Sequence, residues 1–403
     1  MVAVNRWVIE GDVMPKPVDD HTISPSHRPR GAVAGAAMLL VAALTLAACA
    51  AEAPTAESTS TPSATPTSSA SASATAEAST TVADVVAAAD AFTATLDSSQ
   101  QAEVLLDFDS ANATAWSNLP CGAQCRVGIT FSSLSDTQLA AAKAVLQAAL
   151  GTSSDTGYQQ AMQILLADDE LNSLQSSGNG GGGPGGAYSA GNYYFAILGE
   201  PSETGTWQLH FGGHHLAVNI TYVDGVVAGT TPFFIGVEPT SWTADDGTSY
   251  APLTVMKDAM SAAINSLDSS QLAAAKLSQS YTDVLLGPGT DGDFPTTKSG
   301  VRVGDLSADQ QKLVLAAMYP WVAIADDATA EDLMATYSSE LADTYLSYSG
   351  STDLTAQGDY VRIDGPSVWI EFVCQNGVVV QNQIHYHTVY RDHTRDYGGQ
   401  LSF

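Results

Sequence analysis

Histidines supply the most suggestive chemistry in this 403-residue sequence, because beyond residue 48 they occur in only two short windows. The windows are WQLHFGGHHLAVN and QIHYHTVYRDHTRDYGG, and they hold His210, His214, His215, His385, His387 and His393. Imidazole is the commonest protein ligand for transition metals and the usual proton carrier near neutral pH. We therefore expect the fold to bring the two windows together at a metal or acid–base site.

The spacing inside each window indicates which imidazoles can act together. Side chains two apart in a strand share a face, so His385 and His387 can approach one ion. His214 and His215 are adjacent, and both can contribute only if the two glycines before them bend the backbone. We predict a zinc, copper or iron site built by His214 and/or His215 with His385 and His387. Two alternatives remain: a metal-free catalytic or ligand-binding cluster, and histidines with a structural role.

Glu371 is the most conspicuous carboxylate, because it interrupts the apolar segment VWIEFV. A buried carboxylate is costly unless it is paired or bound to a metal. One interpretation makes Glu371 a metal ligand or the general base of an enzyme. The other makes it the partner of Arg391 or Arg362 in an ion pair, and the sequence does not choose between them.

The position of Glu371 relative to the histidines depends on the turn that follows it. A two-residue turn at Asn376-Gly377 places Glu371 and His385 on opposite faces of a hairpin. A three-residue loop with a glycine bulge places Glu371 opposite Gln383, on the histidine face. Both registers are open.

The segment from Arg391 onwards is rich in charged side chains. Arg391 or Arg395 can bind a carboxylate or phosphate group, and Asp392 or Asp396 can orient a ligand histidine from behind. The alternative is a salt-bridged C-terminal loop. The enzyme hypothesis takes Glu371, Arg391 and Asp392 as its catalytic residues.

The N-terminal region predicts export. Two arginines precede the short apolar run GAVAGAAMLLVAALTLAA, which ends in Leu-Ala-Ala-Cys49, a pattern typical of a bacterial lipoprotein. We predict a signal peptide at residues 1–48, a lipidated Cys49, and attachment to the extracytoplasmic face of the cell membrane. A plain membrane anchor or secretory signal is the alternative. Residues 49–81 are almost wholly Ala, Ser, Thr, Pro and Glu, which predicts a disordered tether.

The charge balance excludes one class of partner. The chain has 43 acidic and 14 basic residues, for a net charge of −29, and such a field repels nucleic acid. Cys121 and Cys125 are close enough to form a disulfide in an exported protein, with a thiolate metal site as the alternative. Cys374 lies in an apolar strand and is expected to be buried and unpaired.

Hydrophobic spacing predicts the elements that position these groups. Helices are expected over 82–106, 134–150, 157–174, 252–283, 307–319 and 329–346, and strands over 192–198, 216–223, 226–234, 360–363, 367–374 and 378–387. Asp224-Gly225 and Asn376-Gly377 predict hairpin turns. The fold class is therefore α+β: antiparallel hairpins form a sheet that packs with several helices in one large domain, residues 82–403.

Helix starts give a second pattern. Ser135, Asp268 and Ser307 are each followed three residues later by Gln, as in a capping box. LSDTQLAAAK (134–143) and LDSSQLAAAK (267–276) match at seven of ten positions. This indicates either an internal duplication or the ordinary likeness of Ala-rich helices.

The chain resembles the DUF3500 family of unknown function at WSNLPCGAQCRVGITFSSLSDTQ, GEPSETGTWQLHFGGHHLAVN, TPFFIGVEP, IDGPSVWIE and HYHTVYRD…DYGG. The likeness covers roughly residues 90–401. It implies that six candidate residues lie in family motifs: His214, His215, Glu371, His385, Arg391 and Asp392. It implies no reaction.

The hypothesis that follows is an extracytoplasmic lipoprotein with a histidine-rich transition-metal site, which the first interpretation makes the centre of a metal-dependent enzyme. The alternatives are a protein that sequesters or delivers the metal, and a metal-free module that binds a ligand of the cell envelope. The small-molecule or envelope ligand is not identified by the sequence.

Overall fold

The structure is a computed structural model that describes residues 81–178 and 188–403. The predicted signal peptide and almost all of the predicted tether lie outside the described residues. All described residues belong to one compact unit, which agrees with a single α+β domain. Among the described residues, no helix combines the length and the apolar character needed to cross a membrane.

With the exception of the short helix Ser110–Ala113, the helices contribute side chains to the main core on one side of the sheet. Their bounds are α1 (Val82–Thr93), α2 (Ser98–Val104), α3 (Ser110–Ala113), α4 (Asp136–Ala149), α5 (Gly157–Ser176), α6 (Thr254–Asn265), α7 (Ser269–Ala275), α8 (Ala308–Val322) and α9 (Asp327–Glu340). The three predicted capping boxes are present at the starts of α4, α7 and α8. Two further capping boxes begin α1 and α2, so local sequence fixes most of these helix starts.

The strands are β1 (Leu105–Leu106), β2 (Ile129–Thr130), β3 (Tyr194–Leu198), β4 (Thr206–Gly213), β5 (Leu216–Val223), β6 (Val226–Gly229), β7 (Phe233–Val237), β8 (Trp242–Thr243), β9 (Ser249–Tyr250), β10 (Val301–Arg302), β11 (Tyr345–Ser349), β12 (Tyr360–Asp364), β13 (Val368–Asn376) and β14 (Ile384–Asp392). Twelve of them form one sheet in the order β1-β3-β4-β5-β7-β14-β13-β12-β11-β10, with β2 beside β3 and β6 beside β5. Only β1 and β3 pair in parallel among these described strands.

The two faces of the sheet differ in character, because residues paired across neighbouring strands share a face. One face is apolar and packs against the helices in the main core; it includes Ile220, Ile235, Tyr390, Ile370 and Ile363. The other, which we call the polar face, carries His210, Asn219, His387, Glu371 and Arg362. Loops and the short helix that contains Ala113 cover the polar face, where Ala113 packs with Ala196 and Leu198.

Of the two hairpin turns predicted from the sequence, one is present and one is not. Asp224-Gly225 forms the expected turn between β5 and β6, with both residues at positive φ. The turn predicted at Asn376-Gly377 is wrong, because seven residues (377–383) connect β13 to β14. The buried Glu238 carboxylate accepts hydrogen bonds from the amides of Val379 and Val380 at 2.8 and 2.7 Å, which holds this longer loop in place. A partner more than a hundred residues distant leaves no mark on the local sequence.

The order of elements repeats once along the chain. Each half runs helix, capped short helix, long connection, two-residue strand, capped helix, helix and then a three-stranded meander: α1 to β5 in one half and α6 to β13 in the other. The long connection of the first half also contains β1 and α3. β7 and β14 pair in the middle of the sheet, with one meander on either side. LDSSQ at 96–100 and at 267–271 begins the two equivalent short helices, α2 and α7.

This equivalence changes how the predicted sequence match is interpreted. Residues 134–143 begin α4 and residues 267–276 span α7, which occupy different places in their halves. The partner of LSDTQ (134–138) is LSADQ (306–310) at the start of α8. Gly128 and Gly300 support the same alignment: both have positive φ, and a Cβ on either would lie 2.4 or 2.3 Å from a carbonyl oxygen of the neighbouring strand.

Candidate metal centre

The two histidine windows meet on the polar face. His385 and His387 alternate along β14 and share that face, as the spacing predicts. His214 and His215 form the two-residue turn between β4 and β5, where His215 has a φ of 62°. This turn, rather than a bend at the two preceding glycines, lets both side chains leave the regular strand pattern.

Three imidazole nitrogens converge at one point. The Nε2 atom of His387 lies 3.1 Å from Nε2 of His385 and 3.1 Å from Nε2 of His215. Nitrogens that bind zinc tetrahedrally at 2.0–2.1 Å are separated by about 3.3 Å. The three residues, which we call the histidine cluster, therefore have a donor set and spacing that fit a transition metal ion.

A glycine on the neighbouring strand makes room for this arrangement. Gly236 pairs with His387 across β7 and β14. A Cβ at Gly236 would lie 3.0 Å from Cδ2 of His387 and 3.1 Å from Cδ2 of His215. Its backbone amide also donates a hydrogen bond of 2.7 Å to the carbonyl oxygen of His215. The absence of a side chain at this position thus allows the two rings to approach each other.

The other nitrogen of His387 contacts polar groups that can set its tautomer. Nδ1 lies 2.9 Å from the carboxylate of Asp283, 2.9 Å from the amide nitrogen of Gln375 and 3.4 Å from that of Asn118. A carboxylate acceptor favours a proton on Nδ1, which leaves the Nε2 lone pair for a metal. Asp283 thus lies in the orienting position that the sequence suggested for Asp392 or Asp396.

Burial favours the neutral form of two histidines in the cluster, His215 and His385. The four candidate metal-ligand histidines are at most partly exposed, and His215, His385 and His387 have relative exposures of 4%, 2% and 4%. Burial lowers the pKa of His385 to about 3, and burial together with the neighbouring imidazoles lowers the pKa of His215 well below its usual value. Neutral imidazole is the form that binds metal ions.

His214 lies beside the cluster and has a carboxylate partner of its own. Its Nδ1 is 2.7 Å from Oδ1 of Asp168 in α5, and its ring stacks on that of His215 with centroids 3.7 Å apart. Asp168 is buried, and burial raises its pKa while the contact with His214 opposes that rise. Asp168, His214 and His215 form a second group whose ligand atoms lie close enough to hold an ion.

The two remaining histidines of the windows lie elsewhere on the polar face. Nε2 of His210 is 3.1 Å from the carbonyl oxygen of Ala115, and Nε2 of His393 is 3.5 Å from Asp364. Neither belongs to a group of converging metal-ligand atoms among the described residues.

Glu371 lies on the histidine face but has its own partners. It pairs with Val389, a register that neither predicted turn produces. Its two carboxylate oxygens accept four hydrogen bonds of 2.6 to 2.8 Å, from the amides of Leu285 and Leu286, the Trp369 indole and the Tyr360 hydroxyl. Neither Arg391 nor Arg362 is within ion-pair distance of it, so those proposed ion pairs are absent. Its role as general base stays a prediction.

Arg391 and Asp392 hold the C-terminal loop together. The buried Arg391 guanidinium forms ion pairs of 2.7 Å with Asp291 and with Asp396. Asp392 accepts hydrogen bonds from the amides of Thr394 and Arg395 and from the Tyr337 hydroxyl. These contacts correspond to the salt-bridged loop that the sequence offered as an alternative, and a catalytic role for either residue stays a prediction.

Sequence reasoning missed Asp168 and Asp283. Asp168 did leave a signal, because it lies between Ile164 and Leu171 on the buried side of α5, where an unpaired carboxylate is costly. Asp283 lies in an irregular loop without any pattern. The Cys121–Cys125 disulfide is present, and Cys374 is buried and free, as predicted.

Comparison with known proteins bears on the identity of the chain. It has no significant match among curated proteins or among solved structures. The family model described as "Protein of unknown function (DUF3500)" matches residues 78–399. That match spans most of the sequence and both histidine windows, and the chain therefore belongs to the DUF3500 family.

Proposed function

We propose that the protein is an extracytoplasmic lipoprotein, attached to the membrane through Cys49, whose histidine cluster binds zinc, copper or iron for a metal-dependent reaction. The convergence of three Nε2 atoms at 3.1 Å carries this proposal. Three imidazoles and one open position are a donor set used by catalytic zinc sites. The lipobox and the Ala/Ser/Thr/Pro-rich stretch after it support the location.

Burial and an adjoining cavity favour catalysis over metal storage or delivery. A delivery site exchanges its ion with a partner and is expected to be shallow and exposed. The histidine cluster is instead buried, and a cavity of about 270 Å³ borders His214, whose ring stacks on His215. A buried centre beside a cavity of this kind suits a small substrate.

The surrounding residues have distinct tasks in this proposal. A bound metal would act as a Lewis acid toward a substrate oxygen or water. Asp283 accepts a hydrogen bond from Nδ1 of His387 and so orients its ring. Asp168 orients His214 in the same way, so that His214 can accept or donate a proton at Nε2. Glu371 supports this arrangement indirectly, because it anchors the loop that carries Asp283.

Metal content tests the proposal. The full-length protein, prepared without a polyhistidine tag, is analysed by inductively coupled plasma mass spectrometry beside a His385→Ala/His387→Ala variant. We expect close to one transition-metal ion per chain in the parent and loss of nearly all of it in the variant. His393→Ala is the matched control, since His393 lies on the same face outside the cluster, and it should keep the metal.

A second variant tests the orienting role of Asp283. Asp283→Asn keeps the shape of the side chain but removes the charge that holds His387 at 2.9 Å. Loss of such a partner typically lowers metal affinity by about 10- to 100-fold, as a competition titration with a chromophoric chelator would show. Absence of metal from the parent, even after reconstitution with each of the three ions, would refute the metal centre and favour a metal-free ligand site.

A further inference from the structure

The cavity beside His214 is lined in part by a buried arginine, Arg126. Residues 120–122 of the disulfide loop form one side, and Arg126, Asn192, Tyr194 and His214 form the rest. Arg126 is the only one of these residues with a permanent charge, and it is 7% exposed. A buried cation next to a cavity raises the question of what neutralises it.

Arg126 has hydrogen-bond partners but no counter-ion. Its Nη2 atom donates to the carbonyl oxygens of Ser117, Leu119 and Gly213 at 2.6 to 2.7 Å. Its Nε atom is buried and has no hydrogen-bond partner. Across residues 81–178 and 188–403, no carboxylate lies within ion-pair distance of this guanidinium.

The missing counter-ion is informative in a chain of this composition. Acidic residues outnumber basic ones by 43 to 14, so a protein carboxylate was readily available to pair with Arg126. Burial of an unpaired charge costs several kcal/mol, which an anion in the adjoining cavity would offset. Two other arginines are buried in the described residues: Arg391 is matched by two aspartates, and Arg362, which has no ion pair, lies over the Trp369 ring.

The position of the cavity connects it with the proposed metal centre. His214 lines the cavity, and its ring stacks on His215 of the histidine cluster. Asp168 holds Nδ1 of His214, which leaves Nε2 as the nitrogen available to a ligand. A molecule in the cavity would therefore lie between a fixed positive charge and the imidazoles.

We propose that this cavity binds a small oxyanion, a carboxylate or phosphate group, with the Arg126 guanidinium as its counter-ion and with His214 also in the lining. As an assignment of substrate class, this inference rests on the metal-dependent function proposed above. A cavity of about 270 Å³ admits a small organic acid or inorganic phosphate, and guanidinium is well suited to either group.

Arginine side-chain resonances provide a direct test. The full-length chain has eight arginines, so a ¹H–¹⁵N spectrum of their Nε–H groups is simple. Arg126→Gln identifies the Arg126 signal; if that variant does not fold, Arg302→Gln and Arg395→Gln, at more exposed positions, narrow the assignment by elimination. Sodium acetate and sodium phosphate are titrated separately, with sodium chloride at matched ionic strength as the control.

We expect the Arg126 Nε–H signal to shift saturably with acetate or phosphate and not with chloride, while the Arg302 signal stays in place. Tyr194→Phe, which removes a hydroxyl at the cavity wall, should weaken the anion about fivefold, as expected for one lost hydrogen bond. An unchanged Arg126 signal, or equal shifts at Arg126 and Arg302, would overturn the proposal.

Repeating the titration after metal removal separates the two proposals. Binding that persists without metal supports the Arg126 site by itself, even if the protein proves to bind no metal. An anion that binds only to the metal-loaded protein, and equally well to Arg126→Gln, would instead belong to the metal. That result would overturn the cavity assignment and leave the metal centre standing.

Discussion

Individual side chains on the polar face are set by contacts that differ from one histidine to the next. Nδ1 of His387 contacts the carboxylate of Asp283, and Nδ1 of His214 contacts that of Asp168. His210 instead contacts a backbone carbonyl oxygen. Residue type therefore does not distinguish a candidate ligand from a structural imidazole. The partner on the second ring nitrogen, and the distance to other imidazoles, make that distinction.

His210 provides a prediction at this scale. Burial lowers its pKa to about 4, below the value of 6.5 for an exposed imidazole. The unfolded chain therefore binds more protons between these two pH values, and the free energy of unfolding should fall as the pH drops through that range. Protonation of this one residue should lower the free energy of unfolding by about 2 kcal/mol between pH 7 and pH 4.5.

Urea denaturation of the parent and of His210→Gln at pH 7 and pH 4.5 checks this. The variant should lose less stability on acidification than the parent by about the same 2 kcal/mol. Equal losses in both proteins would mean that His210 is already charged in the native state or is exposed to solvent.

At the scale of elements, the loop between α7 and β10 connects the sheet with the histidine cluster. It has no regular structure, yet it carries Asp283 to within 2.9 Å of His387. Its attachment is the Glu371 carboxylate, which accepts the amides of Leu285 and Leu286. The single glutamate of an apolar strand thus fixes the conformation of this loop, which the sequence of the loop alone does not predict.

Glu371→Gln tests this attachment. An amide has one acceptor oxygen where the carboxylate has two, so at least one of the four donors loses its partner, and we expect a loss of about 2–3 kcal/mol in the free energy of unfolding. Hydrogen exchange should accelerate at Leu285 and Leu286 before the strands exchange. Glu331→Gln, an exposed change on α9, is the control. Unchanged exchange in the loop would show that other contacts hold it.

At the scale of the whole molecule, the repeated order of elements lets the turn that carries His214 and His215 be compared with its equivalent in the other half. The turn between β4 and β5 holds His214 and His215, and the equivalent turn between β12 and β13 holds Pro366 and Ser367. Asp168 contacts His214 in one half, and Glu340 contacts Ser367 in the other. The two halves share a scaffold, but only one of these two turns carries imidazoles.

The repeat makes a prediction about stability. Gln138 bonds to Gln100 and to the carbonyl oxygen of Thr95, and Gln310 bonds in the same way to Gln271 and to the carbonyl oxygen of Ser266. Gln138→Ala and Gln310→Ala should each lower the free energy of unfolding by about 1–2 kcal/mol. The double variant should lose the sum, because the two sites share no contacts.

Urea denaturation of the two single variants and the double variant measures these terms, with Gln147→Ala, an exposed change on α4, as the control. A double-variant loss well below the sum would contradict independent capping networks in the two halves.

The sequence by itself determined the parts that depend on neighbouring residues. Capping residues begin α4, α7 and α8, Asp224-Gly225 turns the chain between two strands, and alternation places His385 and His387 on one face. The α+β class followed from these signals together. Each is decided within a few residues, so the pattern along the chain contains the information.

Tertiary structure decided everything that depends on distant partners. The loop at 377–383 replaces a tight turn because Glu238 binds its amides, and this loop sets the register that places Glu371 opposite Val389. His215 rather than His210 joins the cluster because β5, β7 and β14 pair in that order. Contacts between residues a hundred or more positions apart are set by packing and long-range hydrogen bonds, and no local pattern encodes them.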